Sequence, residues 1–202
     1  MLLRPCLVLT AVLLGATCVS YPAAVTAAAL AFFPEQARGS LITESGRVRG
    51  SSLLGQTLAH PAEHPEYIWG RPSAASVDSA TGLTVSSGSN LGPSNPVLHD
   101  QVRERIEALR ATGVTGPIPV DLVTSSGSGL DPHLSPAAVE VQVPRVARAR
   151  KISEEDVRQL IRAHTEGRTL GLLGEPRVNV LALNLALDRR AARPAAVTGP
   201  AR

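Results

Sequence analysis

The stretch LVLTAVLLGATCVSYPAAVTAAALAFF, residues 7–33, decides the architecture because it carries no charged side chain over 27 residues. A helix rises about 1.5 Å per residue, so this stretch would extend roughly 40 Å, and the hydrocarbon core of a bilayer is about 30 Å thick. The nearest charged residues are Arg4 before it and Glu35 after it. The sequence therefore predicts one N-terminal transmembrane helix, with its flanks, over residues 1–36.

The same stretch has a second interpretation, that of a cleaved secretory signal. Arg4 would be its basic start, and A-L-A at residues 29–31 has the small-x-small pattern of a cleavage site. Cys18 would instead anchor a lipoprotein, although G-A-T at residues 15–17 is a poor context for lipidation. A signal core has roughly 7–15 apolar residues, so the longer run favours a retained span.

The charges that flank the helix give little orientation, because basic residues lie on both sides of it, Arg4 before and Arg38 after. A short N-terminal tail followed by a long domain favours a domain outside the cytoplasm. We therefore expect a single-pass protein of the cell membrane with an extracytoplasmic domain.

The composition indicates one small folded domain after residue 36. The chain has 202 residues, a net charge of +3 and only 2% aromatic residues, so no nucleic-acid surface is expected. Both cysteines, Cys6 and Cys18, belong to the apolar N-terminus, which excludes disulfides and cysteine-bound zinc from the domain. Its core must consist of valine, leucine, isoleucine and alanine.

Short strands and turn-rich connections predict an α+β fold, with a single small mixed α/β domain at residues 37–188. Residues 41–50 predict a hairpin edge, and residues 117–123 predict a short apolar strand. Residues 178–187 alternate in polarity and fit either a strand or a helix. Residues 189–202 are rich in arginine, alanine and proline and are expected to form a disordered tail.

Three helices are predicted from their caps and prolines. The first begins at Pro96, with Asn95 or Ser94 as its cap, and ends before Gly113. The second follows Ser135 as its cap, and Pro144 must kink or end it. The third follows Ser153 and carries acidic residues in its first turn, where they stabilise the helix dipole.

The sequence contains no clear catalytic or metal-binding pattern. The glycine-rich loop T-S-S-G-S-G-L, residues 124–130, lacks the Gly-Lys-Ser/Thr ending of a phosphate-binding loop, so a connecting turn is favoured. Asp131, His133 and Ser135 are the residue types of a hydrolase triad, but at spacings of two they cannot converge as a triad does. Prolines interrupt the two histidines of residues 60–64, which disfavours a metal site. We therefore predict neither catalytic residues nor a metal.

The most unusual stretch of the domain is Y-I-W-G-R-P, residues 67–72, which places two aromatic residues beside an arginine. These residue types are enriched in protein–protein hot spots, but an aromatic pair that fills a core under a turn is an equal alternative. The run of residues 87–96 is interpreted first as turns and second as a recognition surface. The candidates for partner contact are Tyr67, Trp69, Arg71, Asn90 and Asn95.

Taken in order, seven segments of the chain closely resemble the C subunit family of the high-affinity Kdp potassium-transporting ATPase. The resemblance covers roughly residues 1–188, and the motifs are long and specific. It departs from the family at extra residues 60–64 and in the tail. The segments are G-S-S-L-L-G-Q (50–56), Y-I-W-G-R-P-S-A (67–74), G-S-N-L-G-P-S-N-P (88–96), V-D-L-V-T-S-S-G-S-G-L-D-P-H-L-S-P-A-A (120–138), Q-V-P-R-V-A-R-A-R (142–150), G-E-P-R-V-N-V-L (174–181) and L-N-L-A-L-D (183–188).

The resemblance implies an accessory, non-enzymatic subunit of a membrane complex. Its partners would be a P-type subunit that hydrolyses ATP, a channel-like subunit that binds potassium, and a small hydrophobic subunit. The family role is that of a catalytic chaperone that raises the ATP affinity of the P-type subunit. A secreted or lipid-anchored extracytoplasmic binding protein, without a transport role, is the alternative.

The resemblance also implies a possible contact with ATP, although no cofactor of its own is expected. The matching positions are Ser126, Gly127, Ser128 and Gln142. This expectation conflicts with an extracytoplasmic domain, which would meet little ATP, and with a glycine–serine loop that has no cation nearby.

Overall fold

The computed structural model of the chain describes residues 3–44, 46–56 and 61–192. Contacts divide the chain into two compact units, Met1–Ser51 and Ser52–Arg202. The first unit begins with helix α1, Leu3–Phe32, a 30-residue helix that contains an 18-residue window with a mean hydropathy of 1.8. Its side chains are almost all exposed, and the helix is long and apolar enough to cross a membrane.

Helix α1 contains one π-helical turn, Gly15–Ser20, between the α-helical segments Leu3–Leu14 and Tyr21–Phe32. The N–H of Tyr21 donates to the carbonyl of Ala16, five residues earlier. Pro22 has no N–H and its ring clashes with the carbonyl four residues earlier in a regular helix. The wider turn removes that conflict, so the helix continues through Pro22 without a break.

A short helix and a hairpin complete the first unit. Helix α2, Pro34–Ala37, leads into strands β1, Leu41–Glu44, and β2, Arg47–Ser51, which pair antiparallel. The hydroxyl of Ser51 donates to the carbonyl of Gly39 at 2.7 Å. The predicted hairpin edge is therefore confirmed.

The second unit mixes short strands with helices around a small antiparallel sheet, which confirms the predicted fold class. The elements are β3 (Ser76–Val77), β4 (Thr84–Val85), α3 (Pro96–Ala111), β5 (His133–Leu134), α4 (Pro136–Glu140), α5 (Val143–Arg150), α6 (Glu154–Ala163), β6 (Thr165–Glu166), β7 (Arg177–Asn179) and α7 (Val180–Ala192). The sheet has the order β5–β7–β6, and β3 pairs separately with β4.

The predicted helix caps are confirmed. The side chains of Asn95, Ser135 and Ser153 each accept a hydrogen bond from a backbone N–H in the first turn of α3, α4 and α6. Pro144 separates two helices as expected, because α4 ends before it and the proline lies in the first turn of α5.

Two predictions of local structure need correction. The strand expected at residues 117–123 is wrong, since this segment contains only a 3₁₀ turn at Val120–Leu122. Two prolines deprive the segment of ladder donors, and the adjacent Leu122 and Val123 are both buried, which a strand with one buried face does not allow. Helix α7 continues to Ala192, so residues 189–192 are helical, and the rest of the predicted tail, residues 193–202, lies outside the described part.

The core of the second unit is aliphatic, as the composition predicts. The strand–helix ambiguity at residues 178–187 is resolved as both, because β7 ends at Asn179 and α7 begins at the next residue. The largest fully buried apolar side chains are Ile68, Leu134, Val139, Val143, Val146, Val157, Val178, Leu183 and Leu187.

Candidate functional site

Two side-chain amides hold the backbone of the Tyr67–Trp69 segment. Asn184 on α7 accepts from the N–H of Ile68 at 2.8 Å and donates to its carbonyl at 3.0 Å. Gln142, at the junction of α4 and α5, does the same for Trp69, at 2.9 and 3.1 Å. Each amide thus supplies the two hydrogen bonds that a neighbouring strand would give, and Ile68 is buried between them at 1% exposure.

Arg145 on α5 adds a second layer to this attachment. Its guanidinium donates to the carbonyls of Pro65 and Tyr67 at 2.7 and 2.9 Å, and to Oε1 of Gln142 at 2.6 Å. It also lies 3.9 Å from the centre of the Trp69 ring, in cation–π geometry. Burial lowers the pKa of Arg145 to about 10, because the charged form loses its hydration.

Tyr67 is attached through a charged pair between two helices. Arg150 on α5 donates to the Asp188 carboxylate on α7 at 2.7 Å and to the carbonyl of Glu66 at 2.6 Å. The hydroxyl of Tyr67 donates to the same carboxylate at 3.4 Å, and Arg150 lies 5.0 Å from the Tyr67 ring centre. Burial, followed by the charge of Asp188, raises the pKa of Tyr67.

The next residues of the segment join it to the glycine-rich loop. Arg71 forms an ion pair with Asp131 at 3.1 Å, and the hydroxyl of Ser73 donates to the carbonyl of Gly129 at 2.6 Å. Gly129 has φ +68°, and a Cβ on it would lie 2.6 Å from the carbonyl oxygen of Ser87. The residues between the aromatic pair and β3 therefore rest directly on this loop.

The residues predicted for nucleotide contact fall into two environments. Ser126 is buried, whereas Gly127 and Ser128 are exposed, and the carbonyl of Ser128 accepts from the hydroxyl of Ser86 at 2.7 Å. Gln142 is 1% exposed, and its amide is occupied by Trp69, Ala138 and Arg145. In this conformation the amide of Gln142 serves the fold.

The predicted partner-contact residues are likewise spread out. Tyr67, Trp69 and Arg71 are half-buried, so this stretch both packs on the core and keeps some surface. Asn90 is exposed at φ +51°, and Asn95 caps α3. The structure brings the first three together and leaves the two asparagines in turn and capping positions.

The side chains of Arg145 and Asn184, which hold the aromatic segment, were not among the predicted site residues. Arg145 gave a usable signal, because helical spacing places it on one face with the apolar Ala138 and Val141. An arginine on an apolar face is buried only when its donors are satisfied. Asn184 gave no such signal, since a polar residue in an alternating run fits an exposed position equally well.

A cleft of about 810 Å³ opens beside the aromatic segment. Its wall combines apolar side chains with four arginines. Two residues of the aromatic segment, Trp69 and Arg71, contribute to this wall. The lining residues are Ala62, Pro65, Trp69, Gly70, Arg71, Pro72, Arg105, Ala108, Leu109, Ala111, Thr112, Leu122, Arg145, Arg148 and Ala149.

The triad-like residues serve local structure. Nδ1 of His133 lies 3.4 Å from the carboxylate of Asp131, and the hydroxyl of Ser135 accepts from the N–H of Ala138 as a helix cap. Among residues 3–44, 46–56 and 61–192, no cluster of three or more His, Cys, Asp or Glu side chains is placed to hold a metal ion. His60 lies outside these residues.

Comparison with known proteins identifies the same family as the sequence motifs. The model of the family described as K⁺-transporting ATPase, c chain, matches residues 3–189. A protein of Sorangium cellulosum (strain So ce56), named potassium-transporting ATPase KdpC subunit, is 60% identical over 188 residues, which cover 92% of this chain and 96% of that protein. Proteins of the same name from Burkholderia mallei (strain SAVP1) and Burkholderia pseudomallei (strain K96243) are 55% identical over 189 residues, 93% of this chain and 95% of theirs.

Proposed function

Because the chain belongs to the KdpC family of K⁺-transporting ATPase c chains, we propose that it is an accessory subunit that raises the ATP affinity of the hydrolytic subunit of such a pump. The observation that carries the proposal is the family match, which runs from residue 3 to residue 189 and so includes both the apolar helix and the folded unit. The chain would act through contact and add no reacting group of its own.

The partners proposed are a P-type subunit that hydrolyses ATP, a channel-like subunit that binds potassium, and a small hydrophobic subunit. Apolar surface on the second unit supports assembly with other chains. Leu170, Leu172 and Leu173 are 88%, 81% and 63% exposed on one turn, which the bridge between Thr169 and Leu173 closes. Exposure of three neighbouring leucine side chains to water is energetically unfavourable. Such an apolar patch is typical of a surface that a partner protein covers.

The aromatic segment supports a role as a rigid contact surface. Its backbone is held by Asn184 and Gln142, and its aromatic rings by Arg145 and Arg150. A surface fixed before binding loses little conformational entropy when a partner docks. Half-buried Tyr67 and Trp69 are the residues that we propose to contact a neighbouring subunit.

We further propose that α1 remains in the mature chain as a single membrane span, with the second unit outside the cytoplasm. The length and apolar surface of α1 support retention. Intact-mass measurement of the membrane-extracted chain tests it, because cleavage after residue 31 or lipidation at Cys18 would change the mass. Protease added to spheroplasts should digest the second unit only if it lies outside.

The subunit role is tested by purifying the pump with and without this chain and measuring ATP hydrolysis against ATP concentration. We expect the KM for ATP to rise when the chain is omitted, and to fall again when the purified chain is added back. Failure of the chain to co-purify with the hydrolytic subunit, or a KM that does not change, would reject the proposal. Contact between ATP and residues 126–128 or Gln142 stays a separate prediction.

A further inference from the structure

The cleft beside Trp69 has the size and wall of a small-molecule site. Its volume of about 810 Å³ falls within the range of roughly 300–1,000 Å³ that is usual for ligand pockets. Leu109 and Leu122 are buried in its wall, and alanine and proline side chains supply most of the remaining apolar lining. Such a wall favours a ligand with an apolar body.

The charges of the cleft are all of one sign. Four arginines line it, and none of the described lining residues is Asp or Glu. Within the described part of the chain, Arg71 is the one cleft arginine that pairs with a carboxylate, that of Asp131. Arg145 donates to backbone carbonyls and Gln142, and Arg105 donates to the carbonyl of Val123 at 2.8 Å.

These guanidinium groups carry a desolvation cost that an anion would offset. Burial lowers the pKa of Arg105 as well as that of Arg145. The buried Nε of Arg71 has no hydrogen-bond partner among the described residues. Arg148 lines the same cleft and is exposed. Guanidinium groups bind carboxylates and phosphates more strongly than neutral acceptors.

We propose that this cleft binds a small amphiphilic anion, a single alkyl chain that carries a carboxylate or phosphate head group. In this proposal the apolar wall contacts the alkyl chain of the ligand, and Arg105 and Arg148 bind its anionic head group. A peptide segment with an acidic residue has similar chemistry, but the volume of the cleft lies within the range of small-molecule sites, and we therefore favour a small molecule. The ligand chemistry does not depend on the subunit role.

The only tryptophan of the sequence lines the cleft, so its fluorescence reports ligand entry directly. The full chain is reconstituted in phosphatidylcholine vesicles and titrated with 11-bromoundecanoate, whose bromine quenches indole on contact. We expect saturable quenching of Trp69. The matched probes 11-bromoundecanol and 11-bromoundecyltrimethylammonium share the chain but lack the anion, so they should quench weakly and without saturation.

Variants separate the cleft from general adsorption to the vesicle. Arg148→Gln and Arg105→Gln should each raise the half-saturating concentration about tenfold, because each removes a charge-assisted hydrogen bond. Arg103→Gln, on the same helix but outside the lining and paired with Asp100, should leave it unchanged. Equal quenching by all three probes, or an equal loss in Arg103→Gln and Arg148→Gln, would overturn the proposal. The proposal would also be overturned if a leucine-rich acidic peptide shifted the fluorescence emission of Trp69 and 11-bromoundecanoate left that fluorescence unchanged.

Discussion

The side chain of Gln142 pairs with the backbone of Trp69, 73 residues earlier, through both of that residue's hydrogen-bonding groups. Oε1 accepts from the Trp69 N–H at 2.9 Å, and Nε2 donates to the Trp69 carbonyl at 3.1 Å. The same Oε1 accepts from Arg145. One amide therefore satisfies a backbone segment and a buried cation together, and its removal should be costly.

Replacement of Gln142 by alanine should lower the free energy of unfolding by about 2–4 kcal/mol, because it leaves buried donors and acceptors without partners. Urea unfolding of the full chain in mild detergent measures this. Gln159→Ala, on the exposed face of α6, is the matched control and should change stability by less than about 0.5 kcal/mol.

The same variant tests the nucleotide prediction. If Gln142 binds ATP and has no structural role, Gln142→Ala will keep its stability and lose any stabilisation that ATP gives the native chain. If the amide serves the fold, stability will fall equally with and without ATP.

Arg145→Lys should also destabilise the chain, by about 2–3 kcal/mol, although it keeps the charge. Arginine reaches Pro65, Tyr67 and Gln142 with a planar fork, and a lysine ammonium cannot reproduce that geometry. Arg148→Lys, on the exposed side of the same helix, controls for the substitution itself. Equal stability of the two variants in urea would show that the fork geometry contributes little.

The caps and the apolar helix could be predicted because they depend on local chemistry. Asn95, Ser135 and Ser153 each bond an N–H two or three residues ahead, so the cap and the start of the helix lie in one short pattern. The length of the uncharged run at residues 7–33 is equally local. The π turn before Pro22 could not be predicted from such a pattern. Pro22 itself indicates only that the regular helical hydrogen bonding is interrupted.

The attachment of the aromatic segment could not be predicted, because its bonds join residues far apart in the chain. Ile68 meets Asn184 across 116 residues, and Trp69 meets Gln142 across 73. Periodicity gives the face of a helix but not the segment that packs on it. For the same reason the two interpretations of Y-I-W-G-R-P, core or contact surface, stayed open, and the half-buried rings combine features of both.

The phenol of Tyr67 should make stability depend on pH in the alkaline range. Burial, and then the Asp188 carboxylate, raise its pKa above the ordinary value of 10.0, so the folded chain keeps the proton after the unfolded chain has lost it. This stabilisation is complete below the unfolded pKa and is lost as pH rises through the folded pKa.

Tyr67→Phe should therefore show a smaller fall in unfolding free energy than the parent chain between about pH 9 and pH 11. Urea unfolding at each pH measures the difference, and Tyr21→Phe, in α1, is the control that removes the other tyrosine. A parallel fall in all three chains would show that other groups cause the pH dependence.

Two glycines of one loop should differ in how strongly the same substitution destabilises the chain. Gly129→Ala places a Cβ 2.6 Å from the Ser87 carbonyl oxygen and 2.8 Å from the Ala75 nitrogen, at φ +68°, so the backbone must move. Gly127 has open space where its Cβ would lie and no positive φ. We expect Gly129→Ala to cost about 2–4 kcal/mol of unfolding free energy and Gly127→Ala less than about 1 kcal/mol.

Because Gly127 is also a predicted nucleotide contact, an ATP-dependent increase in melting temperature that Gly127→Ala abolishes without a loss of basal stability would place ATP at this loop. An unchanged response to ATP in Gly127→Ala, together with a destabilised Gly129→Ala, would assign the loop a packing role beneath Ser73 and Arg71.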